Sequence, residues 1–125
     1  MKNFLICRQL FAKTIFVLLV SLFSLSPALN VNAMPLNQNE VEQKIREIPQ
    51  WQQKEQTITR TFIFKNFVEA IAFVNQLVEP AEAAGHHPDL EISYNTVIIS
   101  LSSHDAGGLT QKDFELAKTI STIAP

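Results

Sequence analysis

The chain has 125 residues, with 10 Lys and Arg, 12 Asp and Glu and a single Cys, and its formal net charge is −2 at pH 7. This length supports one domain with a modest core. One cysteine excludes a disulfide framework and a multi-cysteine zinc site, and the slightly acidic charge argues against a strongly basic nucleic-acid-binding protein.

The N-terminal segment, residues 1–33, is predicted to be a secretory signal peptide. Three basic residues precede an apolar run over residues 14–25, and Pro27 breaks any helix that follows. Val31-Asn32-Ala33 then offers the small residues that a signal peptidase accepts, so we expect cleavage after Ala33. The alternatives are a buried or anchoring helix, for which the run is shorter than the roughly 20 residues that cross a bilayer, and a transit peptide, for which it is too apolar.

Cleavage would leave one domain, residues 34–125, with seven basic and twelve acidic residues and a net charge of about −5. That charge argues against nucleic acid or an anionic membrane as a partner. Cys7 would leave with the leader, so the mature protein could form neither a disulfide nor a Cys-ligated zinc site. The expected location is secreted or periplasmic, and cytoplasmic if residues 1–33 are not a signal peptide.

The domain is predicted to begin with a helix and two strands. Asn37 and Glu40 have the spacing of a helix N-cap pair, and an apolar stripe follows them. Residues 52–56 give a weak strand pattern. Residues 57–64 alternate strongly and place both of their phenylalanines on one core face.

A long helix and a second pair of strands are predicted next. The helix begins at the N-cap Asn66 and ends at Gly85, and Pro80 should kink its last turns by removing one backbone hydrogen bond. Residues 90–94 and 96–103 read as strands joined by a tight turn. The core face of the second comprises Val97, Ile99 and Leu101.

The last predicted element is a helix capped by Thr110 and Asp113. The order is therefore α-β-β-α-β-β-α. Strands that arrive as neighbouring pairs pair antiparallel, and helices gather on the apolar side of the sheet. We expect an α+β fold with a four-stranded antiparallel sheet and three helices on one face.

All three histidines of the chain lie close together in the sequence, at His86, His87 and His104. Histidine exchanges protons near neutral pH, so the cluster predicts a proton-transfer site. Pro88 stiffens the histidine pair, whose consecutive side chains point to opposite sides of an extended chain. Glu82 lies one helical turn before His86 and could accept a hydrogen bond from an imidazole.

Other interpretations of the cluster are weaker. A single loop histidine is usually a surface group, although three together favour a site. The histidines could bind a metal with Glu82 or Asp105, but no histidine pair has the i, i+4 spacing of a helical metal site, so no metal is expected. Gly107-Gly108 lacks the spacing and the lysine of a phosphate loop.

The spacing of the cluster resembles the signature of the pterin-4a-carbinolamine dehydratases. The matching pattern is Glu82-x3-His86-His87-Pro88-x5-Tyr94-x9-His104-x8-Asp113. Further matches include Trp51, the Arg60-x-Phe62-x-Phe64-x-x-Phe67 run and His104 through Thr110. The resemblance extends from about Leu36 to Ile123.

This resemblance implies an enzyme that dehydrates 4a-hydroxytetrahydropterin to quinonoid dihydropterin in tetrahydrobiopterin recycling, with neither metal nor cofactor. It implies that His86 and His104 transfer protons, that His87 binds and polarises the pterin, and that Glu82 and Pro88 orient the histidines. It also implies a homodimer or homotetramer. The alternative is a non-catalytic pterin-binding or protein-interaction module on the same fold.

Two features depart from the family pattern. Gly85 and Leu90 stand where animal members carry an acidic residue and a tryptophan, which bears on contacts to the substrate. Export would also separate the enzyme from the cytoplasmic hydroxylases that form its substrate.

Overall fold

A computed structural model describes residues 34–124. The predicted signal peptide, residues 1–33, lies outside the described residues. From residue 34 to residue 124, every helix is too short or too polar to cross a membrane.

The described residues form four helical segments and four strands. In chain order they are α1 (Gln38–Arg46), β1 (Gln52–Lys54), β2 (Thr57–Ile63), α2 (Phe67–Gln76), α3 (Val78–Ala84), β3 (Asp89–Ser93), β4 (Thr96–Leu101) and α4 (Gln111–Ile123). A single 3₁₀ turn, His104–Ala106, lies between β4 and α4.

The strands form one antiparallel sheet in the order β1-β2-β4-β3. Strand β4 therefore lies between β2 and β3, and it pairs Leu101 with Ile58 and Val97 with Phe62. The helices pack on the face that carries these apolar side chains, as predicted. The fold is the expected α+β architecture, and it leaves β1 and β3 as the two edges.

The core confirms the predicted faces of the strands. Val97, Ile99 and Leu101 are completely buried, and Phe62 and Phe64 pack tilted against the ring of Phe73. Helix α4 contributes a matching buried stripe. Its members are Phe114, Leu116, Ala117 and Ile120.

Local capping sets the helix starts. The side chain of Asn37 accepts a hydrogen bond from Glu40 N at 3.1 Å, and Asn37 N donates to Glu40 Oε2 at 2.8 Å. Asn66 likewise accepts from Glu69 N at 3.0 Å. Both helices thus begin where the cap pairs predicted.

The long helix predicted up to Gly85 is divided into α2 and α3 at Leu77. Pro80 has no N–H for the carbonyl of Gln76 four residues earlier, and its ring crowds that carbonyl. The helix resumes with Ala81 N donating to Leu77 O at 3.1 Å. The expected kink is therefore found as a break one turn before the proline.

Strand β4 ends at Leu101, two residues earlier than predicted. The carbonyl of Ser103 instead accepts from Ala106 N at 3.0 Å and from Gly108 N at 3.4 Å, which closes the 3₁₀ turn. Gly107 follows in the left-handed conformation, with φ of 72°. His104 therefore sits on a turn beyond the strand and not on the strand itself.

Candidate active site

His86 is held in place by the end of helix α3. Gly85 is left-handed, with φ of 54°, and its N–H donates to Glu82 O while His86 N donates to Ala81 O, both at 3.1 Å. These two bonds make up a Schellman motif, in which the residue after the glycine is fixed by the last turn of the helix. The backbone of His86 is thus set by local structure.

The ring of His86 meets a buried carboxylate. His86 Nε2 lies 2.7 Å from Asp113 Oδ1, and the side chains are 12% and 0% exposed. A carboxylate only accepts hydrogen bonds, so Nε2 of His86 carries the proton and donates. This leaves Nδ1 of a neutral His86 as the nitrogen that can receive a proton.

The second oxygen of Asp113 joins the two halves of the site. Asp113 Oδ2 accepts from Thr110 N at 2.7 Å, from Thr110 Oγ1 at 3.1 Å and from Ser103 Oγ at 2.9 Å. The hydroxyl oxygens of Ser103 and Thr110 also lie 2.9 Å apart. One of these hydroxyl groups can therefore donate either to the other hydroxyl or to the carboxylate. Because Ser103 precedes His104, Asp113 connects the loops that carry His86 and His104.

His87 has a different and much more exposed setting. Its Nε2 lies 2.8 Å from Glu82 Oε1, with the two side chains 64% and 71% exposed. Glu82 therefore contacts His87, and the partner of His86 is Asp113. An exposed pair of this kind orients a ring but contributes little to stability.

His104 begins the 3₁₀ turn and is also exposed. Its Nε2 lies 3.1 Å from Ser102 Oγ. Its position depends on the Ser103 turn and hence on Asp113.

The three histidines line one open cleft of about 570 Å³. Its walls within the described residues are Gly85, His86, His87, Ser102, Ser103, His104, Asp105, Ala106, Thr110 and Lys112. Glu82 and Pro88, which were also predicted as site residues, are not among these lining residues; Glu82 contacts His87, and Pro88 follows His87 in the chain. Tyr94 directly follows β3, at the end of the strand away from the cleft. At about 3.3 Å per residue, the length of the strand places Tyr94 roughly 16 Å from the cleft.

The volume of the cleft is typical of small-molecule sites, which usually measure about 300–1000 Å³. Within residues 34–124, no three His, Cys, Asp or Glu side chains are arranged so that they could hold a metal ion. The arrangement combines imidazoles from two separate stretches of chain with one buried carboxylate, which suits proton transfer to and from a bound ligand.

The sequence analysis selected the histidines, but it did not identify Asp113 as the partner of His86 or place Ser103 and Lys112 in the cleft wall. Asp113 was predicted only as a capping residue and as the last position of the signature. A capping carboxylate uses one of its two oxygens for the cap. The second oxygen of Asp113 was therefore available for another hydrogen-bond donor, and this was the signal that the sequence offered. Ser103 and Lys112 gave no signal, because neither has a distinctive spacing.

Comparison with known proteins identifies the family of the chain. The family model described as Pterin 4 alpha carbinolamine dehydratase matches residues 34–123. Proteins named as pterin-4-alpha-carbinolamine dehydratases are similar to the chain, among them one from Picosynechococcus sp. that is 56% identical over 91 residues, 73% of this chain and 99% of the relative. Another, from Trichormus variabilis, is 55% identical over 73% of this chain and 98% of the relative.

Two solved structures share the fold. A transcriptional coactivator/pterin dehydratase from Brucella melitensis superposes with a TM-score of 0.69 at 33% identity, covering 73% of this chain and 99% of that chain. A pterin dehydratase-like protein identified as a RuBisCO assembly factor in the alpha-carboxysome superposes with a TM-score of 0.50 at 23% identity, covering 59% of this chain and 86% of that chain. From the family match and the identity over nearly the whole length of its relatives, we conclude that the chain belongs to the pterin-4-alpha-carbinolamine dehydratase family.

Proposed function

We propose that this protein dehydrates 4a-hydroxytetrahydropterin to quinonoid dihydropterin by histidine general acid–base catalysis, in the recycling of tetrahydrobiopterin or a related pterin. The observation that carries the proposal is the convergence of His86, His87 and His104 on one cleft. Each has a hydrogen-bonding partner that fixes the ring.

The reaction needs two proton transfers. The N5 lone pair of the pterin expels the hydroxyl group from C4a, an acid protonates the leaving oxygen to give water, and a base accepts the proton of N5. General acid–base catalysis of this kind contributes about 10²–10⁴ in rate. Two imidazoles that act on one ligand can therefore accelerate the elimination substantially by general acid–base catalysis alone.

The partners of the histidines suggest how the roles divide. His86 is assigned as the base, because its Nε2 donates to the buried carboxylate of Asp113 and leaves Nδ1 free to accept a proton. His104 has only the hydroxyl of Ser102 as a partner and is assigned as the acid for the leaving oxygen. His87, oriented by Glu82 and stiffened by Pro88, is assigned to bind and polarise the pterin.

Turnover of synthetic 4a-hydroxytetrahydropterin tests the proposal. The wild type should accelerate the spontaneous dehydration, and His86→Ala, His87→Ala and His104→Ala should each lower kcat/KM, with the largest losses at the proton-transfer residues. Gln50→Ala, an exposed position away from the cleft, serves as the control. A wild type no faster than buffer, or His87→Ala with an unchanged rate, would overturn the assignment.

A second candidate is a non-catalytic pterin-binding or protein-interaction module. It is favoured by the occurrence of this fold in a protein described as a RuBisCO assembly factor. The exposure of His87 and His104 is also compatible with binding alone. The two candidates separate cleanly, because the module would bind a stable dihydropterin but leave the dehydration rate at its spontaneous value.

We further propose that residues 1–33 are a signal peptide and that the mature domain is secreted or periplasmic. The support is the order of basic residues, apolar run and small residues that ends at Ala33. N-terminal sequencing of the protein from its native host tests this. A mature chain that begins at Met34 supports export, whereas an intact Met1 returns the protein to the cytoplasm.

Self-association through the edge strand β3 is the last part of the proposal. All five residues of β3 are exposed, and among them Leu90 and Ile92 are 40% and 39% exposed. An edge strand with free backbone groups and apolar side chains favours pairing with a second copy. A homodimer or a homotetramer is therefore expected.

A further inference from the structure

His86 and His104, the two residues assigned to proton transfer, are fixed in very different ways. The end of α3 sets the backbone of His86, and its ring lies 2.7 Å from the buried carboxylate of Asp113. His104 is exposed, and among the described residues the hydrogen-bond partner of its ring is Ser102, two positions away and at 3.1 Å. This local contact does not tie His104 to another element. The separation of the two rings must therefore be set by the residues beside His104.

The turn that carries His104 is closed by its own backbone. Ser103 O accepts from Ala106 N at 3.0 Å and from Gly108 N at 3.4 Å. Both bonds join residues of the turn to one another. They define the shape of the turn, but they do not fasten it to α4, the helix that carries the carboxylate partner of His86.

The side chain of Ser103 makes that connection. Its Oγ donates to Asp113 Oδ2 at 2.9 Å and also lies 2.9 Å from Thr110 Oγ1. Both partners belong to the start of α4, because Thr110 is the N-cap and Asp113 lies in the first turn. Across residues 102–106, all of which the structure describes, no other side chain is hydrogen-bonded to a different element. One hydroxyl group thus joins the two halves of the site.

Loss of this hydroxyl would act on only one half of the site. Asp113 Oδ2 also accepts from Thr110 N at 2.7 Å and from Thr110 Oγ1 at 3.1 Å, and Oδ1 keeps its bond to His86 Nε2. Without Ser103 Oγ, the Thr110 hydroxyl still donates to Asp113, so no donor of this network is left without an acceptor. The His86 side therefore stays intact, whereas the turn beyond β4 loses its side-chain bond to α4.

We propose that Ser103 is a positioning residue, whose hydroxyl holds the His104 turn at the separation from His86 that two proton transfers on one ligand require. It acts through Asp113 on one side and through its own peptide bond to His104 on the other. The kinetic consequence rests on the proposed function, in which the two histidines serve as base and acid. The structural consequence does not, because it concerns the free protein.

Backbone ¹⁵N relaxation of the free protein tests the positioning directly. In Ser103→Ala, the order parameter of His104 should fall from the range of rigid backbone, about 0.85, towards the values of flexible backbone, below about 0.6. The order parameter of His86 should stay at its wild-type value, which also shows that the fold is intact. Ser103→Thr keeps the hydroxyl and should restore the rigid turn. An unchanged order parameter at His104 in Ser103→Ala, or an equal loss at His86, overturns the inference.

The matched control removes a hydroxyl elsewhere on the same strand. Ser100 lies on the face of β4 away from the core, where its Oγ donates to Thr59 Oγ1 at 3.4 Å. Ser100→Ala should leave the order parameters of both histidines and the rate of dehydration unchanged. A loss at His104 in this variant as large as in Ser103→Ala would contradict a specific role of Ser103.

The kinetics of dehydration separate positioning from ligand contact. Ser103→Ala should lower kcat about 10-fold, which is part of the roughly 10²–10⁴ that general acid–base catalysis contributes. KM should stay within about twofold, because binding of the pterin is assigned to His87. Ser103→Thr should recover most of kcat. A raised KM with an unchanged kcat would mean that Ser103 binds the ligand itself, and it would overturn the positioning role.

The relaxation and kinetic measurements together distinguish this inference from the proposed function. If the wild type does not accelerate dehydration, yet Ser103→Ala loosens the His104 turn and Ser103→Thr restores it, the positioning stands and the enzymatic function fails. If the wild type is active and Ser103→Ala keeps both the wild-type kcat and the wild-type order parameter of His104, the enzymatic function stands and the positioning fails.

Discussion

Replacing Asp113 is the perturbation that bears most on the proposed site. Its carboxylate is fully buried and accepts hydrogen bonds from Thr110 N, Thr110 Oγ1 and Ser103 Oγ in addition to His86 Nε2. Asp113→Ala would leave these donors without an acceptor, although the two hydroxyls can still bond each other. Each buried unsatisfied group costs about 1–3 kcal/mol, so we expect a loss of about 3–5 kcal/mol.

Asp113→Asn is the sharper variant because it keeps the shape. Three donors converge on Oδ2, so the amide oxygen of asparagine must take that place and its NH₂ group must face His86. The amide then donates to His86 Nε2, which forces the ring proton onto Nδ1 and removes the free basic nitrogen. We expect a stability loss of about 1–2 kcal/mol but a fall in kcat/KM of about 10²-fold.

Urea unfolding and the dehydration assay measure the two effects. Glu82→Gln removes the carboxylate partner of the exposed His87 and should change the free energy of unfolding by less than about 0.5 kcal/mol. Glu115→Gln, on the exposed side of the same helix as Asp113, should leave kcat/KM unchanged. If Asp113→Asn retains the wild-type rate and the wild-type tautomer of His86 by NMR, the argument for Asp113 is wrong.

The remaining predictions concern the scaffold. Gly85→Ala should destabilise the fold by about 1–2 kcal/mol in urea unfolding, because the φ of 54° at this position is unfavourable for a residue with a Cβ. Steric clash should not add to this cost, since nothing lies within 4 Å of the added Cβ. A cost near zero would contradict the left-handed cap. Ile92→Lys on β3 should convert the proposed homo-oligomer to smaller species in sedimentation velocity, while Gln52→Lys on the opposite edge should not; an oligomer that Ile92→Lys leaves unchanged would exclude the β3 interface. The hydrogen bond and charge of Lys118 lower the pKa of Glu47 below 4.5. This pair therefore stabilises the fold above pH 4.5 and ceases to do so as the pH falls through the lowered pKa. Lys118→Ala should reduce Tm slightly at pH 7, and this reduction should become smaller as the pH falls below 4.5; a reduction that does not change with pH would contradict this.

Local signals explain why much of the fold was predictable. The caps Asn37 and Asn66 and the left-handed Gly85 act through residues within four or five positions in the chain, so the sequence contains the whole interaction. The buried faces of β2 and β4 follow from alternation alone. The order of the strands depends on long-range packing, and no local pattern could have shown that β4 lies between β2 and β3.

The carboxylate partners of the histidines were not predictable for a physical reason. Helical spacing relates Glu82 to His86, but the left-handed Gly85 takes the chain out of the helix before His86. The next ring, His87, reaches Glu82 instead. The partner of His86 is 27 positions away, at the start of α4, and depends on how α3 and α4 pack.

Imidazole NMR during a pterin titration tests the central claim most directly. The chain contains three histidines, so single substitutions assign every ring signal. Addition of 7,8-dihydrobiopterin should shift the ring signals of His86, His87 and His104 together, with one shared Kd. A titration that moves the signals of His86 and His87 but leaves His104 unchanged would contradict a common site.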